Sequence, residues 1–502
     1  MSNSNSLLRK ISWSAVASIF SLFGRLITQI IIARMLGMDG VGRIAYIMWL
    51  IEIANVFSCF GLPSSLTRYL AELHGQKDTE NALRFGHWVF LRYLTLSLIG
   101  SVIVGILFFC SSHYVGAEAM LPVVMLLFLA NGLQSINQAD LAGRQCFALL
   151  ARINGVATVA LVIGVSIGSY YHGVAGALYG YLAGALFPAA FSLTMLRGIS
   201  LRQKIDIELR RRVWKFTFNT WLAMIVSAFV WSRMEIYFLG RYWNPHEVAI
   251  FTVGLTFAVM VQQVTTLFSG SFMAHFSQLL GSGNNALIQR HYESATRLAA
   301  FAVIPIAFGG AAIMPVLLPL LFGQQFAPAV PSAMVLTVTA AMAFSLIGSS
   351  LIYAKERSDF IALGGVVGAI LSVSAGFLIV SKWGAWGAVW SRLVVQGSMI
   401  ALGTWFIVTK LHFSYPFKSL VSTVIAAGLC GLSAWCIIHM LPNPYTAICV
   451  AIPLGIIVYL LGIKFFGVLR PEDVHHLRRI AGQFPVRVHN IINLVLDAMV
   501  GT

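Results

Sequence analysis

Charge is scarce in this chain: Asp, Glu, Lys and Arg make up 10% of its 502 residues, against about 25% in an ordinary soluble domain. With a mean hydropathy of +0.84, that shortage excludes a water-soluble globule. Acid is the scarcer sign, 17 Asp and Glu against 33 Lys and Arg. Enzyme motifs are missing too. There is no HExxH, GxSxG, GxxxxGK[ST] or repeated Asp-rich metal motif, the patterns that assemble metal, nucleophile or phosphate chemistry. The histidines are scattered, and His475-His476 reads as a solvated helix face. Cys59, Cys110, Cys146, Cys430, Cys436 and Cys449 lie in or beside apolar runs without metal spacing. They read as buried small hydrophobes rather than disulfides or ligands. No catalysis, metal or cofactor is expected.

What the sequence has instead is apolar runs from end to end. Fourteen spans are expected, near 11–34, 44–66, 88–110, 119–140, 147–169, 174–196, 216–239, 248–270, 298–320, 330–352, 360–381, 385–408, 419–440 and 445–466, each long enough to cross a bilayer as a helix. The first run is too long for a signal-peptide core and reads as a retained helix. One set of connections is short and poor in charge, holding only Arg34, Arg43, Arg241 and Lys382; the other, which includes the N-terminus, holds most of the remaining Lys and Arg. Both termini are therefore expected in the cytoplasm. The same bias accounts for the net charge of +16 without a nucleic-acid partner.

The chain repeats itself. His172-Gly-Val-Ala-Gly-Ala177 and Trp383-Gly-Ala-Trp-Gly-Ala388 open spans six and twelve, 211 positions apart. Ala142–Phe147 and Ala354–Phe360 precede spans five and eleven, and Leu36-Gly37 and Leu239-Gly240 close spans one and seven. These matches predict an all-α polytopic membrane protein of about 14 helices, with two like-oriented six-helix lobes, 1–199 and 217–412, and two additional helices at 413–466. Residues 200–216 carry Leu201, Ile205, Leu209, Val213 and Phe216 opposite a basic face, which predicts a cytoplasmic amphipathic linker on the membrane surface. Residues 467–502 form a cytoplasmic tail. Gly176, Gly180 and Gly184 recur every fourth residue, a spacing for close helix packing.

Charges inside spans are the functional signal. Arg25 shares one face of the first span with Ser14, Ser18, Ser21 and Thr28. An arginine at mid-span costs roughly 2.5–3.5 kcal/mol on insertion scales, so it turns to water, protein or the interface. Arg25, Glu52 and Arg392 fall about 12 Å from the outer ends of their spans at about 1.5 Å per residue; Arg233 and Glu235 are shallower. If that helix is regular, Arg233 and Glu235 lie about 200° apart, so at most one faces a cavity. Snorkelling or packing is the rival for the arginines. Asn131, Gln134, Ser135 and Gln138 on span four, and Thr252, Thr256, Gln263 and Thr266 on span eight, either line a cavity or bond helices together. Arg25, Arg233, Arg392, Gln134 and Gln263 are the candidate substrate-binding residues, with Glu52 and Glu235 as candidate ion-coupling sites. A cavity richer in Arg than acid favours an anion, since guanidinium binds phosphate oxygens bidentately and stays charged.

Leu8-Arg-Lys through Ala33-Arg-Met-Leu-Gly37, Asp39-Gly-Val-Gly42, Gly61-Leu-Pro-Ser-Ser-Leu-Thr-Arg68-Tyr-Leu-Ala-Glu72 and Leu469-Arg-Pro-Glu-Asp473 carry a resemblance. The chain looks like the polysaccharide and O-antigen flippases of the multidrug/oligosaccharidyl-lipid/polysaccharide exporter superfamily. The resemblance implies two bundles around a central cavity that opens alternately to each side. It implies passage of a polyprenyl-pyrophosphate-linked oligosaccharide to the outer leaflet of a bacterial inner membrane. A polysaccharide polymerase and a chain-length regulator would be its partners, besides membrane lipids. Arg25 best matches the family's cationic cavity. A cation-coupled multidrug exporter of the same fold is the alternative, and a membrane glycan polymerase or ligase is disfavoured by the short outward loops.

Overall fold

A computed structural model describes residues 2–110, 120–196, 207–231, 233–281 and 285–470, with 472–474, 478 and 493. Among the described residues the regular structure is helical, without strands. Eleven stretches of the described residues are long and apolar enough to cross a membrane. Three of them, Ile19–Ser58, Phe147–Met195 and Ser358–Thr409, run for 40, 49 and 52 residues, about twice the 20 or so that one crossing needs. Each is interrupted by a positive-φ glycine: Gly37, Gly173 and Gly384.

The interruption at Gly173 is a reversal of the chain. A Cβ on Gly168 would stand 2.1 Å from the Gly176 carbonyl oxygen, and one on Gly180 would stand 2.3 Å from the Val165 nitrogen. Gly184 meets Leu161 in the same ladder. Partner numbers fall on one arm as they rise on the other, so the arms are antiparallel and touch backbone to backbone. The close-packing glycines expected on span six thus meet Gly164 and Gly168 on span five.

The repeat is visible as geometry. Gly173 (φ 58°, ψ −132°) and Gly384 (φ 56°, ψ −135°) share one conformation. Gln145 and Glu356, also 211 apart, have φ of 57° and 58°. Gln145 N–H donates to Ala142 O and Cys146 N–H to Leu141 O, while Glu356 N–H donates to Tyr353 O and Arg357 N–H to Ile352 O. Both are helix ends closed by paired reverse bonds around a left-handed residue.

The chain forms two compact units, Met1–Ala249 with Ser372–Gly384, and Ile250–Leu371 with Ala385–Thr502. In the first lie α1 (Ser2–Ser58), α2 (Leu62–Gly75), α3 (Thr79–Cys110), α4 (Leu121–Gly143), α5 (Phe147–Ser192), α6 (Ile207–Trp231) and α7 (Glu235–Tyr242). α1 ends at Ser58, short of the expected span end at 66, because Phe60 (φ 46°) and Gly61 (φ 70°) turn the chain. Pro63 sits in the first turn of α2, where its missing N–H costs nothing. α2 buries Leu62, Leu66, Tyr69 and Leu70 against Phe85, Val89 and Phe90 of α3 and Ile136 of α4. Leu209, Val213 and Phe216 of α6 join that cluster, and Thr217 and Ser65 share a hydroxyl contact of 2.5 Å. The stripe expected to rest on the membrane surface therefore packs on protein over its described part, within one helix running to residue 231. Leu201 and Ile205 lie outside the described residues.

The second unit contains most of α8 (Pro245–Gly281), and α9 (Asn285–Phe322), α10 (Val330–Thr339), α11 (Leu346–Ala354), much of α12 (Ser358–Ala375) and α13 (Ser381–Thr409), α14 (Phe417–Met440) and α15 (Pro444–Phe466). The span expected at 330–352 is divided by a 3-10 stretch, Ala340–Ser345. α9 packs with α10, α14 and α15, and the Tyr459 hydroxyl donates to Phe301 O at 2.8 Å. Beyond α15 the chain returns to α9. Asp473, fully buried, accepts Arg297 Nε at 2.9 Å and Nη2 at 3.0 Å, and also the Ser294 hydroxyl. Cys59 and Cys430 are buried as expected, whereas the free cysteines Cys146, Cys436 and Cys449 are exposed.

Candidate functional site

In the first unit, α1 lies along α5 with Gly24 pressed on Thr158 and the Thr28 hydroxyl bonded back to Gly24 O. That seam fixes the rotation of α1. Arg25, next to Gly24, is turned off the seam and is exposed. It makes no ion pair among the described residues. Across from it on the second arm of α5 stands Tyr181, half-buried, within Coulombic reach of both Arg25 and Arg233. Two of the candidate arginines thus lie within electrostatic range of one tyrosine inside one unit.

Arg233 is not on a regular helix. α6 ends at Trp231 and α7 begins at Glu235, and Arg233 between them has φ of 60°. A side chain in this left-handed region costs roughly 1–2 kcal/mol, and such strain concentrates at functional sites. The expected 200° separation of Arg233 and Glu235 does not hold, because the break supplies its own geometry. Glu235 opens α7 and is buried. Discontinuous helices that carry charge at the break are a recurrent way to build transport sites.

The level of the break on α1 follows from the α1–α7 seam. Gly240 is pressed on Tyr46, and Trp49 meets Tyr237 with ring centroids 5.8 Å apart. One turn further along this antiparallel register, Glu52 comes level with residues 233–234. Glu52 is exposed. Gln134 is half-buried on α4. Its neighbour Ser135 bonds, with Ser97, to the buried hydroxyl of Tyr93, so this stretch serves packing as well.

In the second unit, Arg392 is buried on α13, one turn from buried Gln396. Gln263 is half-buried, and its amide oxygen accepts the Thr266 hydroxyl at 3.1 Å; the Thr256 hydroxyl bonds to Thr252 O. Part of the span-eight stripe is thus taken up in local bonding within α8. Sequence reasoning missed Tyr181 and Tyr93, each set within an apolar run without a motif around it. Among the described residues no group of three or more His, Cys, Asp and Glu could hold a metal.

The fold is similar to that of the lipid II flippase MurJ in an inward closed conformation, with a TM-score of 0.70 at 14% identity over 90% of this chain and 98% of that one. It is also similar to an inward-facing multidrug resistance MATE family transporter of the MOP superfamily, TM-score 0.64 at 15% identity over 78% and 96%. A MOP superfamily transporter from Pyrococcus furiosus follows at 0.55 and 14% identity over 80% and 95%. No curated protein matches the sequence. The family described as "Polysaccharide biosynthesis protein" matches residues 31–331. That stretch is more than half of a multi-pass helical chain with the fold of MOP-superfamily transporters, and the chain belongs to the polysaccharide biosynthesis protein family.

Proposed function

We propose that this protein is a flippase that carries a polyprenyl-pyrophosphate-linked oligosaccharide from the cytoplasmic to the outer leaflet of a bacterial inner membrane. It would serve the synthesis of O-antigen, capsule or exopolysaccharide. The observation that carries the reading is that Arg25 and Arg233 lie within electrostatic range of the same Tyr181 beside a broken helix. Two guanidinium groups held in a membrane span offer a pyrophosphate the donors and charge it would lose on leaving water. Arg25 and Arg233 would take the pyrophosphate, and Tyr181, within electrostatic range of both, would offer its hydroxyl to the head group. Arg392, Gln134 and Gln263 would line the remaining path, and Glu52 and Glu235, level with the arginines, would exchange the coupling ion. The three interrupted stretches, read as helix pairs, bring the eleven to fourteen crossings, with both termini cytoplasmic and lobes at 1–199 and 217–412.

Moving an anion out of a negative-inside cell gains roughly 2.3 kcal/mol per charge per 100 mV. The test is flipping of a fluorescent polyprenyl-pyrophosphate disaccharide in proteoliposomes carrying a membrane potential. Wild-type protein is expected to expose the label to an outside quencher, and Arg25→Ala and Arg233→Ala to lose this while inserting normally. Full flipping by both variants would overturn the site. Uptake of cationic dyes in place of the glycolipid would favour the multidrug exporter that the MATE-like fold also accommodates.

A further inference from the structure

Arg92 is a charge of the expected span 88–110 that the proposed transport site leaves unused. It stands on α3 in line with Thr95, Leu98, Ile99, Val102, Ile103 and Ile106, all exposed. These steps of three and four make one stripe, apolar above Arg92 and facing outward from the unit. From Cys110, the end of α3, back to Arg92 is about 27 Å at about 1.5 Å per residue, close to the thickness of the hydrocarbon layer, about 30 Å. Arg92 therefore sits at the foot of a lipid-facing strip, where head groups begin.

Its guanidinium lies over Trp88 at 4.4 Å and Trp214 at 5.8 Å from the ring centroids, and the two rings meet edge to face at 5.9 Å. Three other arginines of this unit bind carboxylates, Arg84 to Glu80, Arg144 to Asp140 and Arg212 to Glu72, while Arg68 lies over Phe216 at 4.5 Å. Arg92 has no carboxylate partner among the described residues. A guanidinium that uses its face on a ring keeps its in-plane N–H donors for another acceptor.

We infer that Arg92, seated on Trp88 and Trp214, binds the phosphate of an anionic phospholipid whose acyl chain lies along Thr95–Ile106. The strip selects a lipid over free phosphate, since it is the acyl chain that covers those residues. On the orientation proposed above the lipid belongs to the inner leaflet. Binding itself depends neither on that orientation nor on which glycolipid is carried.

The full-length protein in detergent would be titrated with phosphatidylglycerol, phosphatidylcholine and inorganic phosphate, and retained adducts counted by native mass spectrometry. Phosphatidylglycerol is expected to bind more tightly than phosphatidylcholine. Arg92→Gln is expected to weaken it by about fivefold or more, the effect of one basic group at an anionic lipid surface. Arg84→Gln removes a charge from the same helix and is expected to change nothing. If Arg92→Gln does not give monodisperse protein, Trp88→Leu tests the platform with the charge kept and should also weaken binding. Equal binding of the two lipids, equal losses in Arg84→Gln and Arg92→Gln, or displacement of the lipid by millimolar inorganic phosphate would each overturn the inference.

Discussion

Asp473→Ala should release the segment after the last helix. Asp473 is 0% and Arg297 1% exposed. The carboxylate accepts two guanidinium bonds, at 2.9 and 3.0 Å, the Ser294 hydroxyl and the Arg470 N–H at 3.0 Å. Removing it leaves the guanidinium buried, with Glu293 Oε2 at 3.6 Å as its remaining ion-pair partner. Breaking one side of such a pair costs about 3–5 kcal/mol, which multiplies the open fraction of this segment by about a hundredfold or more. Hydrogen exchange in nanodiscs, followed on peptides covering 290–300 and 468–474, should accelerate by that factor. Replacing both partners, as Arg297→Met with Asp473→Leu, removes the unpaired charge and should recover most of the protection. Unchanged exchange in Asp473→Ala, or a double variant that loses the sum of the two single losses, would refute the coupling.

Gly180→Leu should block folding of the α5 hairpin, because its Cβ would meet backbone atoms 2.3 and 2.4 Å away, worth at least about 1–3 kcal/mol. Gly155→Leu, with nothing within 4 Å, should be tolerated, and yields of membrane-inserted protein compare the two. Arg233→Gly should raise the midpoint temperature of thermal unfolding by relieving the left-handed strain while abolishing flipping; a lower midpoint would contradict that strain. Asp78 receives the side-chain and backbone N–H groups of Asn81 at the start of α3, and these bonds hold its carboxyl below the usual carboxylate range. Its folded value is the depressed one, so the cap is complete above about pH 4 and is lost as pH falls through the lowered value. Amide exchange at 79–83 should show that loss in wild type and not in Asp78→Asn.

Hydropathy made the spans legible, because a lipid-exposed helix needs apolar residues on every face it shows. Gly173 and Gly384 were legible as turns because a left-handed position excludes most other residues. The break at Arg233 was not: Trp231-Ser-Arg-Met-Glu235 contains neither glycine nor proline to mark it. The start of α2 was written in Gly61 and Pro63, yet the apolar residues around them extended the apparent span. Tyr181 and the Arg297–Asp473 pair depend on residues far apart in sequence, which no local pattern encodes. The candidate arginines were found by their cost in lipid, and their mutual arrangement was not.

The segments ending at Gln145 and Glu356 have few letters in common, yet they close their helices with the same bonds at the same interval. The same bonds close helices at Lys77 and Gly467, so it is the interval of 211, shared with Gly173 and Gly384, that a duplicated ancestor would leave. A search for an internal duplication in this chain should therefore compare backbone torsions at a fixed interval beside the residue identities.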